Sequence, residues 1–453
     1  CTSGTCSASG KGWAAKISIE TGGYHVCALG TDTKVYCWGN GSNYRTGQSS
    51  TANLTKPTAV PGITGATDVV AGYDHSCAKV AGKWLCWGSN TYGELGGGKT
   101  GSATSTPVLV TVVKDPVAIT AGYRYTCALR QDGTVFCWGY QSAGRLGSGS
   151  TDYVAAPLGV QVKGLTGIVR LWSGYAHSCA ANNQNEVFCW GSNSEKRIFD
   201  GTSPSTYYAP VKKASATAGV GGGYGTVCWA ANDGTGWCTG DNDNGQLGDG
   251  SLTDSGKPVQ VVGPKDIAMV LGGGNHTTAL TATGALWTAG DNFDGQLGIG
   301  STTDSGKFLP AAMPGKLAVV QVRSGYAFTC ALLIDGKVVC TGDGYYGALG
   351  NSSTSDTSTF GLAAGPCTAA SQCDDGDPCT ADLCTAGSCA HGVAVGKAIP
   401  CNDGLGCTTN DVCSAGKCAG TAVSCDDKNA CTLGDSCKEG KANTPVCVPG
   451  AAK

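Results

Sequence analysis

The chain has 453 residues, enough for two or more domains, and combines 73 Gly and 27 Cys with only 14% charged residues, the composition of a turn-rich β protein. A net charge of −3 and a pI near 6.0 give no basic patch for nucleic acid. No run of 18 apolar residues is present to cross a membrane as a helix.

The N-terminal segment, 1–13, holds Cys1 and Cys6. A chain that starts at Cys1 rather than Met is expected to have been processed or trimmed. The run Cys1-Thr-Ser-Gly-Thr-Cys6 is close to Cys384-Thr-Ala-Gly-Ser-Cys389 and Cys413-Ser-Ala-Gly-Lys-Cys418, so one reading makes the segment the end of a Cys-rich module.

Residues 14–362 are repetitive. A Gly-Tyr-x-His-Ser-Cys-Ala-Leu pattern followed by Val-x-Cys-Trp-Gly recurs seven times. Its anchors are Cys27, Cys77, Cys127, Cys179, Cys228, Thr278 and Cys330, spaced 50, 50, 52, 49, 50 and 52 apart. A period near 50 marks a repeat architecture, and seven copies suit a closed ring. Each anchor has a second cysteine about ten residues on: Cys27/Cys37, Cys77/Cys86, Cys127/Cys137, Cys179/Cys189, Cys228/Cys238 and Cys330/Cys340. The sixth unit loses both together, to Thr278 and Thr288, which favours a bond between them over a metal site, since two thiolates without histidine partners hold zinc poorly. Such bonds imply an oxidising, extracellular or cell-surface location.

Hairpin geometry supports the pairing. Centring a turn on Asp132-Gly133 places Cys127 opposite Cys137. In the second unit a one-residue deletion shortens the turn to Ala81-Gly82 and leaves Cys77 opposite Cys86. After each hairpin come a fixed glycine (Gly39, Gly88, Gly139, Gly191, Gly240, Gly290, Gly342), usually a Gly-x-Leu-Gly turn, then a Pro-Val-like strand and a further apolar strand. Four short strands per unit make a propeller blade.

Several residues are candidates for function. Tyr73, Tyr123, Tyr175, Tyr224 and Tyr326 stand four before an anchor, with Tyr24 nearly equivalent, and ring symmetry gathers them at one end of the axis. They could grip a sugar or a protein, or simply pack the innermost strands. His25, His75, His177 and His276 recur two before an anchor and are expected to bond backbone within each blade; no nucleophile–base spacing is found, so no enzyme is expected. Lys196-Arg197-Ile198-Phe199 replaces the tight glycine turn of unit four and is either a contact patch or loop drift, with Lys196, Arg197 and Phe199 as its candidates. Asp-rich runs such as Gly240-Asp-Asn-Asp-Asn-Gly245 and Cys373-Asp-Asp-Gly-Asp377 make calcium a candidate; turn formation explains them equally well. Asn53, Asn275 and Asn351 begin sequons.

The repeats resemble the regulator of chromosome condensation repeat over 14–362, because spacing, glycines and Gly-Gln-Leu-Gly all coincide. The resemblance implies an all-β, seven-bladed β-propeller, and the added cysteine pairs resemble the secreted bacterial branch of that family. Residues 16–20 read as the second strand of unit one, and an extra strand at 359–362 is expected to complete the first blade and close the ring.

From residue 367 the composition turns to Cys, Asp, Thr and Gly, and three modules follow: Cys373, Cys379, Cys384, Cys389; Cys401, Cys407, Cys413, Cys418; Cys425, Cys431, Cys437, Cys447. The span 367–453 is expected to be a disulfide-rich, loop-dominated tail, its connectivity open. It resembles short tandem repeats of extracellular-matrix and bacterial surface proteins, which implies a spacer. Cys1, Cys6 and Cys367 are left over. Cys6 could pair with Cys367 while Cys1 carries a lipid anchor, as in bacterial lipoproteins, or one thiol could join two chains. These features together predict an extracellular structural or adhesive protein, self-associating into a fibre or coat. The alternative is a secreted or lipid-anchored binding module that recognises a protein or glycan through a propeller face.

Overall fold

The computed structural model describes residues 18–198, 204–215 and 217–363, and the backbone of short strands between 380 and 452. Contacts divide the chain into two compact units, Cys1–Ala363 and Ala364–Lys453.

The first unit is a seven-bladed all-β propeller. Seven four-stranded antiparallel sheets follow one another along the chain, each built from four consecutive strands. The blades span 18–59, 66–109, 116–161, 168–215, 217–260, 267–310 and 319–362. Alternating residues on the two middle strands drive the hairpins, and the registers are those the turn chemistry demands. Cys127 lies opposite Cys137 with Leu129 opposite Val135, and Cys77 opposite Cys86 around Ala81 (φ 48°) and Gly82 (φ 77°). Disulfides join Cys27–Cys37, Cys77–Cys86, Cys127–Cys137, Cys179–Cys189, Cys228–Cys238 and Cys330–Cys340. Thr278 and Thr288 face each other at the seventh position. The glycine closing each hairpin has φ between 98° and 121°, backbone that only glycine adopts without strain.

Blade boundaries differ from the sequence expectation by one strand. The apolar strand preceding each hairpin is the innermost strand of the same blade. Ser18–Thr21 therefore starts blade one, and Thr357–Leu362 pairs with Val338–Gly342 inside blade seven. Among the described residues no strand is exchanged across the ends. The ring closes through backbone bonds such as Ser352 N to Thr55 O (2.8 Å) and through side chains: the Gln321 amide accepts from Ile19 N and donates to Ile19 O (both 3.0 Å), Arg323 pairs with Glu20 (2.8 Å), and Trp38 Nε1 donates to Ala348 O (2.8 Å).

The core lies between blades. Trp38, Trp87, Trp138 and Trp190 are buried against the turn of the preceding blade and donate to its backbone, next to Leu349, Thr46, Leu95 and Leu146 respectively. In blades five, six and seven the tryptophan is replaced by Thr239, Ala289 and Thr341, and in the last two the space is filled from the outer strand by Phe308 and Phe360. Volume is thus conserved while its source moves to another strand.

In the second unit the backbone forms hairpins Thr380–Thr385/Ser388–Val393, Thr408–Ser414/Lys417–Ala422 and Ser436–Glu439/Pro445–Val448. Their registers make the third and fourth cysteines of each module cross-strand partners: Cys384 with Cys389, Cys413 with Cys418, Cys437 with Cys447.

Candidate functional site

Each innermost strand runs toward the axis and ends in a small residue (Thr21, Ala71, Ala121, Ser173, Gly222, Gly272, Ser324), because seven strands converge there. At Gly122 an added Cβ would stand 2.7 Å from Gly174 O, so the approach permits no side chain. The loops that follow bind one blade to the next through backbone bonds of 2.8–3.3 Å, including Tyr73 N to Gly122 O, Tyr224 N to Gly273 O and Tyr326 N to Gly23 O. These bonds fix where the tyrosines stand.

The tyrosines form one continuous collar. Ring centroids lie 5.7 Å apart for Tyr24–Tyr73, 5.0 Å for Tyr73–Tyr123, 4.5 Å for Tyr123–Tyr175 (stacked), 4.3 Å for Tyr175–Tyr224, 6.0 Å for Tyr224–Tyr326 and 5.4 Å for Tyr326–Tyr24. Blade six has Gly273-Gly274 instead of a tyrosine, and the circle closes across the gap. The rings are half-buried and Tyr224 is exposed, so the collar both packs the axis and presents aromatic surface. Burial holds the Tyr73, Tyr175 and Tyr326 hydroxyls above their ordinary range, so they remain protonated donors.

Behind the collar sit the histidines, and here the expectation of backbone bonds within a blade is corrected. In three of the four, Nε2 meets a hydroxyl of the following blade: His25 with Ser76 (2.7 Å), His75 with Thr126 (2.8 Å) and His276 with Thr329 (2.9 Å). Those hydroxyls donate onward to Arg45 O, Glu94 O and Gln296 O, so Nε2 must carry the proton and Nδ1 is bare. Tyr125 takes the position in blade three and reaches Ser178 (2.9 Å); Phe328 takes it in blade seven and packs in one core cluster with Val26. His177 would meet Val227, and its Nε2 has no partner. Burial lowers all four imidazoles, His75 and His276 to about 4 and His177 to about 3.

The Gly-x-Leu-Gly loops flank the collar. Arg45 donates to Tyr73 O (3.3 Å) and pairs with buried Asp74 (2.9 Å); Arg145 donates to Tyr123 O (3.0 Å). Arg197 holds the same position in blade four and is 3% exposed, bonded to Ser194 Oγ (3.1 Å), while Ile198 fills the leucine slot. Of the two readings of Lys196-Arg197-Ile198-Phe199, a contact patch or loop drift, neither describes Arg197, which is interior because the loop keeps its shape. Lys196 is exposed at φ 54°, the glycine position of the other units, and Phe199 lies outside the described residues. Cys1, Cys6 and Cys367 lie outside them as well.

Charge divides around this end. Arg45, Arg124 and Arg145 lie beside Tyr73 and Tyr123, the collar tyrosines of blades two and three. Blades five to seven carry Asp241, Asp291 and Asp343 directly after the positive-φ glycine, where blades one to four have Asn40, Ser89, Tyr140 and Ser192. Each of those three aspartates accepts the amide two residues on, at 2.7–3.2 Å. Asp241, Asp243 and Asp254 have carboxylate oxygens within 4.8 Å of one another; Asp241 and Asp254 already receive backbone amides, and three ligands fall short of the six to eight oxygens calcium takes. The sequence carried a signal for this division, the residue type after the repeated glycine, but only the ring brings the three blades side by side.

The "Regulator of chromosome condensation (RCC1) repeat" pattern matches residues 32–78, 81–129, 132–181, 233–280 and 283–332, and a second pattern of that description matches 17–45, 117–145, 171–196, 265–296 and 319–348. The chain belongs to the RCC1 repeat family. Among curated relatives, 30% identity over 199 residues links it to human "E3 ubiquitin-protein ligase HERC2" (41% of this chain, 4% of the relative). "Protein pim1" of Schizosaccharomyces pombe is 28% identical over 220 residues (43% and 40%), and the "Ultraviolet-B receptor UVR8" of Arabidopsis thaliana 27% over 208 (45% and 47%). The matches span less than half the length of each of these relatives. Among solved structures, human WBSCR16 superposes with a TM-score of 0.65 at 17% identity, covering 74% of this chain and 94% of that one. Saccharomyces cerevisiae Prp20p, studied for its binding to Gsp1p and histones, gives 0.64 at 19% identity, covering 80% and 92%. At such identities the superpositions establish the fold. No described helix is long and apolar enough to cross a membrane.

Proposed function

We propose that this protein is an extracellular binding module that recognises a protein partner through the tyrosine-collar end of its propeller. The observation that carries the reading is the continuous collar itself, six aromatic rings in a closed circle on a rigid, disulfide-clipped ring. Aromatic residues supply large contact area at low entropic cost, and a rigid frame avoids ordering losses on binding. Six disulfides favour an oxidising compartment. Protein binding by Prp20p, named with Gsp1p, histones and Kap60, supports a recognition role for propellers of this shape. The reading assigns no catalysis, since the recurrent histidines are sealed behind the collar and three of the four are engaged with hydroxyls. The expectation of a fibre subunit rests on Cys1, Cys6 and Cys367, outside the described residues.

The test is site-specific photo-cross-linking from position 224 at the collar and position 233 in a hairpin turn, in medium from the source cells. Any partner found is then measured in purified form. A partner cross-linked from 224 and not 233, with affinity at least tenfold weaker for Tyr224→Ala, supports the reading; equal cross-linking from both positions overturns it.

A further inference from the structure

Beyond the collar, one sector of the same end is chemically incomplete. In blades six and seven the loops after the positive-φ glycine carry Phe293 and Tyr345, which are 80% and 69% exposed at equivalent positions of adjacent blades. Neither ring fills a described core cluster. Tyr345 packs edge-on against Tyr346 (4.8 Å), which in turn touches Tyr24 (5.2 Å), so an aromatic path runs from this rim to the collar. Carboxylates stand beside both residues: Asp291 accepts from Phe293 N (3.1 Å) and Asp343 from Tyr345 N (2.7 Å). Asp294 is pushed up to about 6 by burial and by the fields of Asp343, Asp356 and Asp291. Residues 240–256, 290–306 and 342–358 contain no lysine or arginine, and none of these carboxylates forms an ion pair among the described residues.

The other side of the collar shows what such a surface accepts. There the Arg124 guanidinium lies over Tyr123 (4.7 Å) and Tyr92 (5.5 Å) and is 3.8 Å from Asp74. Aromatic faces and a carboxylate hold an arginine that the chain itself supplies. Blades six and seven repeat the aromatic and acidic components without the arginine.

We propose that the sector formed by Phe293, Tyr345, Asp291, Asp294, Asp343 and Asp356 docks a lysine- or arginine-rich segment of the partner protein. Cationic heads pair with the carboxylates while their planes or stems lie over the two exposed rings. The inference rests on the collar end being the recognition surface and names the chemistry of what it recognises. Charge complementarity selects the occupant, because a neutral or acidic segment would leave the carboxylates unpaired.

The experiment uses the full, disulfide-intact chain and two fluorescein-labelled twelve-residue probes, one alternating Arg and Gly, the other Glu and Gly, read by fluorescence anisotropy at low salt. The expected result is binding of the arginine probe alone. Phe293→Ala/Tyr345→Ala and Asp294→Asn/Asp343→Asn should each weaken it at least tenfold, with melting no lower than that of the parent. The control Asp132→Asn/Asp233→Asn, in hairpin turns, removes the same charge and should leave binding unchanged. Equal weakening by that control would show mere net-charge attraction and overturn the proposal. So would indifference to loss of the two rings, calcium binding at these aspartates without affinity for the arginine probe, or self-association that occupies the surface. If cross-linking from position 224 succeeds while the arginine probe fails, this inference falls and the recognition reading stands.

Discussion

The bonds between blades make a reciprocal prediction. Thr126→Val removes the hydroxyl that accepts from His75 Nε2 and donates to Glu94 O, at nearly constant volume. Glu94 O keeps its bond from Trp138 Nε1 at 2.9 Å, so the cost falls on the imidazole N–H, left buried without an acceptor. An unsatisfied buried donor costs about 1–3 kcal/mol, so Thr126→Val should lose about 2 kcal/mol. The opposite change already has a vacancy: His177 Nε2 is unpartnered and Val227 holds the hydroxyl position. Val227→Thr should therefore gain about 1 kcal/mol, its hydroxyl accepting from His177 and donating to the carbonyl of Arg197, as in the other blades. The assay is guanidinium unfolding with disulfides intact, followed by tryptophan fluorescence and compared at constant slope. The reasoning is refuted if Thr126→Val stays within about 0.5 kcal/mol of the parent, or if Val227→Thr destabilises by more than about 1 kcal/mol.

Imidazole 15N spectra should show His25, His75 and His276 as neutral Nε2–H tautomers, without titration between pH 8 and pH 5. With folded values near 4 for His75 and His276 against 6.5 unfolded, the unfolded chain binds more protons in between. The stability these groups contribute is therefore complete above pH 6.5 and lost as pH falls through 4; a buried imidazole titrating above 6 would contradict this. Asp294, raised from 3.8 to about 6, has the opposite sign: its charge costs stability above its folded value and nothing below 3.8. Asp294→Asn should stabilise the fold by under about 1 kcal/mol at pH 7.5, screened as a half-exposed group, and be neutral at pH 3.5; equal melting shifts at both values would count against it. Thr278→Cys/Thr288→Cys should form a seventh cross-strand disulfide, since the two are register partners. Closing so short a loop contributes at most about 3 kcal/mol, and loss of the Thr288 Oγ1 bond to Leu297 O reduces the gain; free-thiol titration finding two reduced cysteines would refute the geometry.

The hairpins were legible because a period of two and a turn of known length fix which residues face each other, and a deletion between Cys77 and Cys86 tests the register within the sequence itself. Strand grouping was less legible. The apolar strand before each hairpin lies in sequence between two sheets, and the observed pairing assigns it to the blade that follows. Residues acting between blades were the hardest: the partner of His75 lies 51 positions away, although His at one anchor and Ser or Thr before the next is a pattern visible in the chain. In sequence Arg197 reads as a surface charge, because Lys-Arg-Ile-Phe shows no glycine turn, whereas Lys196 adopts the glycine conformation and keeps the loop.

The self-contained blades leave the ring with a seam. Blade seven meets blade one without a shared strand, and at the join the Gln321 side chain stands in for a peptide unit, giving one donor and one acceptor to Ile19. Every gap between successive blades has this same strand arrangement, and the others differ in being crossed by the chain. Cutting the chain between blades three and four and joining 362 to 18 through a linker should yield a circularly permuted propeller. Under a pulling force the circle should part first at this join, then release its blades one after another. Six of them carry a covalent clip that keeps their central hairpin from extending.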